Sequence, residues 1–153
     1  MIITEIIVLH PRNLNLDIKE ACLVELIKLR LYKIYKPVGY IIEIVGVISV
    51  STILCEELLH VTVTYKVNAI KPADLIDRYQ ITKLLDVGIF IELEYAHILI
   101  IGGLLKNTVY CFECCQFSAT DTVSFKSITF KLKKCKDKYI YAIVAEHQCK
   151  LPL

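Results

Sequence analysis

A chain of 153 residues, 56% hydrophobic and 22% charged, has enough apolar mass for a packed core, which excludes a disordered protein and allows one ordinary domain or two small ones. A net charge of +2 is modest for a nucleic-acid binder, and the longest uncharged run, residues 44–55, is far short of the roughly 20 apolar residues a spanning helix needs. The opening "MIITEIIVLHP" carries Glu5 inside its apolar run, with no basic leader or small-residue cleavage site, so it does not read as a signal peptide, and the seven cysteines are expected to be free thiols.

Residues 2–9 read as a short strand and 11–16 as a turn. A helix is predicted over 17–35. Asp17 and Glu20 have capping-box spacing, and Leu23, Leu26, Ile27, Leu31 and Ile34 form an apolar stripe. Lys28, Arg30, Lys33 and Lys36 gather toward the C-terminal end, where the helix dipole is negative. "KPVGY", residues 36–40, stops it, and strands follow over 40–50 and 60–70. In the second of these, Val61, Val63, Tyr65 and Val67 share one face, and Thr62, Thr64, Lys66 and Asn68 the other. Pro72 offers no N–H to a ladder and biases Lys71 away from pairing geometry, which places a boundary near residue 70. Residues 1–70 therefore form a β-α-β-β unit, one helix covering one face of a small antiparallel sheet.

Residues 71–153 read as all β, with strands over 75–85, 88–95, 97–104, 108–114, 122–133 and 138–146. Val123 and Phe125 point inward, followed by Ile128, Phe130 and Leu132, a phase slip that predicts a bulge near Lys126 and Ser127. Short strands with a corner make a small closed barrel of the OB type, so the fold class is α+β. Ten of the fourteen aromatic residues fall in this unit, an arrangement that suits base stacking and equally suits a barrel core.

Charge is uneven along the chain. "KSITFKLKKCKDK" contains six lysines, and Lys126, Lys131, Lys133 and Lys134 are candidate RNA contacts through the phosphate backbone; the same lysines would also guard a strand edge against aggregation. In "YCFECC", Cys111 and Cys114 have zinc-knuckle spacing, and Cys135 and Cys149 could complete four ligands, with His147 as a substitute. Cys135 and Cys149 are far apart, so the second close pair of a structural zinc site is missing; no metal or other cofactor is expected, with Cys111 a small strand residue. There is no acidic metal triad, glycine-rich phosphate loop or nucleophile with a spaced base, so no catalytic residues are assigned and no enzyme is expected.

"VLHP" followed by the helix, then "KPVGYIIEIVGV" and "VTYKVNAIKP", resembles in order the tip domain of the stalk subunit of multisubunit DNA-directed RNA polymerases. The tail "DTVSFKSITFKLKKCKDKYIYAIVAE" is similar to the last two strands of that subunit's S1-type OB barrel. Asp77 and Arg78 stand where S1-type domains usually have a glycine, and the region before Asp121 is short and cysteine-rich. With "LNLDIK" (residues 14–19), which looks like the small poxvirus subunit, these departures point to a divergent viral version. The resemblance implies a non-catalytic subunit. Its tip docks on the large subunits near the clamp through Lys36, Pro37, Val38, Gly39 and Tyr40, while its barrel lies near the RNA exit path and meets nascent RNA weakly. A second stalk subunit is a further partner of such chains, and no membrane is involved. The expected location is cytoplasmic, at a viral transcription site or in the virion, or nuclear for a cellular homologue. Two rivals stand beside it: a stand-alone OB-fold protein binding single-stranded nucleic acid, and a zinc-bearing interaction module.

Overall fold

Val61, Val63, Tyr65 and Val67, the apolar face of the alternating stretch, are all fully buried. They form the centre of the first of two units, Met1–Ile70 and Lys71–Leu153, in a computed structural model that describes residues 1–10 and 17–149. The turn expected over 11–16 lies outside the described residues. The first unit runs β1 (Ile2–Leu9), α1 (Ile18–Arg30), β2 (Ile34–Tyr35), β3 (Gly39–Cys55) and β4 (Leu58–Ile70), and its antiparallel sheet has the order β1-β4-β3-β2. Ile3, Ile7 and Leu9 of β1 join the β4 valines and Tyr65 on the face that α1 covers with Ala21, Cys22 and Leu26.

The helix starts where expected, the Asp17 side chain accepting the Lys19 backbone N–H at 2.9 Å, but stops at Arg30 rather than continuing to 35. Leu31 is extended and Tyr32 adopts a left-handed φ of 57°, after which Ile34 and Tyr35 pair with Tyr40 and Gly39. Aromatic and β-branched residues after Arg30 gain more from that ladder than from another helical turn. The buried stripe also differs from the expected one: Cys22 and Leu26, one turn apart, face the sheet, while Ile27 is exposed. Arg30 extends the same stripe, its guanidinium giving both oxygens of Glu5 hydrogen bonds (3.2 and 2.8 Å) and lying 4.0 Å over the Tyr35 ring. The Tyr65 hydroxyl donates to the same carboxylate. Glu5, the charge interrupting an apolar strand, is therefore the acceptor that ties α1 to β1 and β4.

In the second unit the first expected strand, 75–85, is replaced by a single 3-10 turn at Pro72–Asp74 and two short strands, β5 (Tyr79–Gln80) and β6 (Lys83–Leu85). The Asp74 carboxylate accepts the Lys71 N–H at 2.8 Å, so the chain after Pro72 curls instead of extending. There follow β7 (Gly88–Leu93), β8 (Ala96–Ile101), β9 (Leu104–Lys106), β10 (Val109–Cys111), β11 (Gln116–Ser118), β12 (Thr122–Val123), β13 (Phe125–Cys135) and β14 (Lys138–His147). They fall into a five-stranded sheet, β13-β14-β8-β7-β6, a three-stranded sheet, β11-β10-β9, and a β12-β5 pair. One continuous closed barrel is not formed among the described residues; the coarse class, mostly β with one helix, is α+β. Strand β14 runs parallel to β8, and the core holds Ile89, Ile91, Ile98, Ile100, Phe125, Ile143 and Ala145. The expected bulge lies between Ser127 and Thr129 of β13. Past it Phe130 and Leu132 lie opposite Ile143 and Tyr141, on the same side as Phe125 as expected, yet Ile128 is 55% and Phe130 54% exposed rather than buried. No helix among the described residues is long and apolar enough to cross a membrane.

Candidate functional site

Past the bulge, register alone sorts the lysines of β13. Thr129, Lys131 and Lys133 lie opposite Val144, Ala142 and Ile140 of β14, whereas Phe130, Leu132 and Lys134 lie opposite Ile143, Tyr141 and Tyr139, on the other face. Ala142 and Val144 in turn pair with His97 and Leu99 of β8, and those with Glu92 and Phe90 of β7. One sheet face thus presents Lys131 and Lys133 together with Phe90 and His97, around a concavity of about 570 Å³. The Phe90 and His97 rings meet edge to face at 5.5 Å, and Lys83 of β6 places its ammonium 5.3 Å over Phe90. Glu92 adds one carboxylate at the rim, 3.6 Å from His97 Nε2. Of the four lysines singled out by sequence, two share this face. Lys134 lies on the opposite side, and Lys126 lines a separate concavity with Pro72 and Phe130. Lys83, Phe90 and His97 were missed because their strands look like ordinary alternating core strands until the pairing order is known.

The docking loop divides by burial. Lys36 and Pro37 are exposed at the tip of the β2–β3 hairpin, while Val38, Gly39 and Tyr40 are buried. Gly39 has φ 122°, a conformation side chains resist, and Val38 N–H closes the turn on Tyr35 O at 2.8 Å. Tyr40, expected to supply an aromatic contact, is instead part of the packing at 6% exposure; the accessible aromatic beside the loop is Tyr32, at 63%. Its backbone N–H is fixed by Ile41 O at 2.8 Å.

The cysteine-rich region forms the β10–β11 hairpin, closed by a hydrogen bond from Phe112 N–H to Cys115 O at 2.9 Å. Cys111 points away to Gln116, and Cys135 ends β13 opposite Lys138. Cys114 and Cys115 instead converge on His147 of β14, with sulfurs 3.1 Å apart and each 3.8 Å from a ring nitrogen. Hydrogen bonds with Cys115 and then Cys149 hold the Cys114 thiol below the ordinary range, while burial and the bond to Cys114 push Cys115 up to about 11. Burial lowers the His147 imidazole, keeping it neutral. Of the donors weighed from sequence, Cys114 and the substitute His147 come together while Cys111 and Cys135 lie elsewhere; Cys115, the third member of the cluster, was not among them, and Cys149 lines the same concavity. Compared with protein-family models and with curated proteins, the chain matches none.

Proposed function

We propose that this chain is a non-catalytic, stalk-like subunit of a DNA-directed RNA polymerase, docking on the large subunits through its first unit and meeting emerging RNA through its second. The observation that carries the reading is the sheet face where Lys83, Lys131 and Lys133 surround Phe90 and His97. Ammonium groups that track phosphates beside rings that stack bases are what a sequence-tolerant single-strand contact requires. The strand order supports an OB-type reading of the second unit. The β13-β14-β8-β7-β6 sequence, with a parallel β14–β8 pair and β12 returning to β5, is the connectivity of a partly open five-stranded barrel when β5 with β6 and β12 with β13 are each one interrupted strand. In this reading Lys36, Pro37 and Tyr32 make the docking contact, and Val38, Gly39 and Tyr40 hold the hairpin that presents them.

The rival, a stand-alone OB-fold protein, uses the same face. Photocrosslinking of nascent RNA in transcription complexes assembled with the chain separates the two. A polymerase subunit crosslinks only when transcribing enzyme is present and loses the crosslink on Lys131→Gln/Lys133→Gln, whereas a stand-alone protein crosslinks free single strands equally well.

A further inference from the structure

We infer that Cys114, Cys115, His147 and Cys149 form a zinc site that fastens the β10–β11 hairpin to the end of β14. The three donors Cys114 Sγ, Cys115 Sγ and one His147 ring nitrogen already lie within 4.8 Å of one another. Cys149, exposed and two residues past His147, lines the same concavity and reaches the fourth position by side-chain rotation. A tetrahedral zinc with Zn–S near 2.3 Å and Zn–N near 2.0 Å separates sulfur from nitrogen by about 3.6 Å and sulfur from sulfur by about 3.8 Å. Cys115 Sγ lies 3.8 Å from His147 Nε2, close to that, while Cys114 Sγ lies 3.8 Å from the other nitrogen, Nδ1; with Nε2 as the ligand, rotation of the exposed Cys114 side chain brings its sulfur round and opens the 3.1 Å between sulfurs. At 3.1 Å the two sulfurs are well outside a disulfide bond of about 2.05 Å, so both are free thiols that can give up their protons to a metal.

The surroundings hold the donors in place. The His147 ring is stacked on Phe112 at 4.7 Å and met edge-on by Phe117 at 5.2 Å, so the turn and the second strand of the hairpin fix its plane. Adjacent cysteines normally diverge; here the turn closed by Phe112 N–H and Cys115 O directs both to one ring. Three thiolates and an imidazole leave a zinc complex with one negative charge, and Arg78 lines the same concavity of about 310 Å³ to offset it. Soft thiolates with imidazole select zinc over magnesium or calcium, and four protein donors leave no open coordination position, so the site is structural rather than catalytic. This proposal runs against the expectation of a metal-free chain, which rested on a missing second pair.

The test is metal analysis of the full chain purified without chelators, followed by exchange to Co²⁺. One equivalent of zinc, and a cobalt form with thiolate charge-transfer bands and tetrahedral d–d intensity, are expected. His147→Gln and Cys115→Ser should each weaken Co²⁺ binding by more than about 100-fold, since changes even to residues behind the ligands cost 10–100-fold. Cys111→Ser and Cys135→Ser should bind as the parent does. Should the ligand variants not fold, the parent alone decides: zinc must slow alkylation of Cys114, Cys115 and Cys149 at least about tenfold while leaving Cys55 unaffected. A folded chain without bound metal or a cobalt spectrum, unchanged alkylation, or a Cys114–Cys115 disulfide in the purified protein would overturn the assignment.

Discussion

Arg30, the last residue of α1, holds both carboxylate oxygens of Glu5 in the middle of β1, and Tyr65 of β4 donates to the same carboxylate. Burial acts to raise the Glu5 pKa, but the hydrogen bonds from Arg30 and Tyr65 outweigh it and hold the carboxyl below its ordinary value. A carboxyl depressed in the folded state contributes stability that is present above its unfolded value of about 4.3 and is lost as pH falls toward the folded value. Glu5→Gln should therefore lower stability by about 2 kcal/mol at neutral pH, the range for a hydrogen bond to a charged group. Most of the difference from the parent should disappear at acid pH. Urea denaturation of both proteins at several pH values between neutrality and pH 3 checks this.

A second outcome concerns the β3–β4 turn. Glu56 and Glu57 both take left-handed backbone angles, φ 48° and 67°, in a two-residue hairpin loop that favours Asn-Gly. Glu56→Asn with Glu57→Gly should stabilise the first unit by about 1 kcal/mol, by removing side chains that resist this conformation and both of two adjacent like charges. Thermal melting monitored by circular dichroism should show a rise of several degrees; an unchanged or lower midpoint would mean that the turn is not built this way.

Much of the first unit was legible because its signals are local. Asp17 announces the helix and the alternation from Val61 to Val67 announces β4, whereas Glu5, read only as a charge breaking an apolar run, gave no sign of its partner Arg30. The helix end was misread because Leu31 and Ile34 continue the apolar period, and periodicity cannot show that residues 34–35 find a ladder at 39–40. In β13 the bulge was foreseen, and its one extra residue does place Phe130 rather than Lys131 on the Phe125 side; that Phe130 would still be left 54% exposed there was not. The lysine face and the cysteine cluster each join strands distant in sequence. Their composition could be read from the chain, but their membership required the pairing of β14 with β8 and β13.

The glycine at the β8–β9 corner sets another expectation. A Cβ at Gly103 would come within 2.5 Å of the Cys111 carbonyl and the Tyr110 ring, and the Gly103 N–H donates to the Tyr110 hydroxyl at 3.1 Å. Neither the carbonyl nor the fully packed ring can withdraw. Gly103→Ala should cost about 1–3 kcal/mol by overpacking, whereas Gly46→Ala, with open space around it, should be far milder. Equilibrium unfolding of the two variants side by side tests the contrast.

The split of the lysines by register predicts unequal roles. Lys131→Gln with Lys133→Gln should weaken single-stranded RNA binding and flatten its log–log salt dependence by about 1.4, at roughly 0.7 per phosphate contact. Lys134→Gln, on the opposite face, should leave the slope near that of the parent. Fluorescence anisotropy with a labelled oligonucleotide over a salt series distinguishes the two, and equal slopes for all three proteins would return these lysines to the role of strand-edge guards.

The central claim, membership of an RNA polymerase, is tested most directly by affinity purification of the tagged chain from the cells in which it is made, with the retained proteins identified and quantified. The large polymerase subunits are expected in amounts comparable to the chain itself, retained through moderate salt and reduced when Lys36, Pro37 and Tyr32 are replaced together by Glu, Gly and Ala in a variant that remains folded. Recovery of the chain without any polymerase subunit, whether alone or with single-stranded nucleic acid, would contradict it.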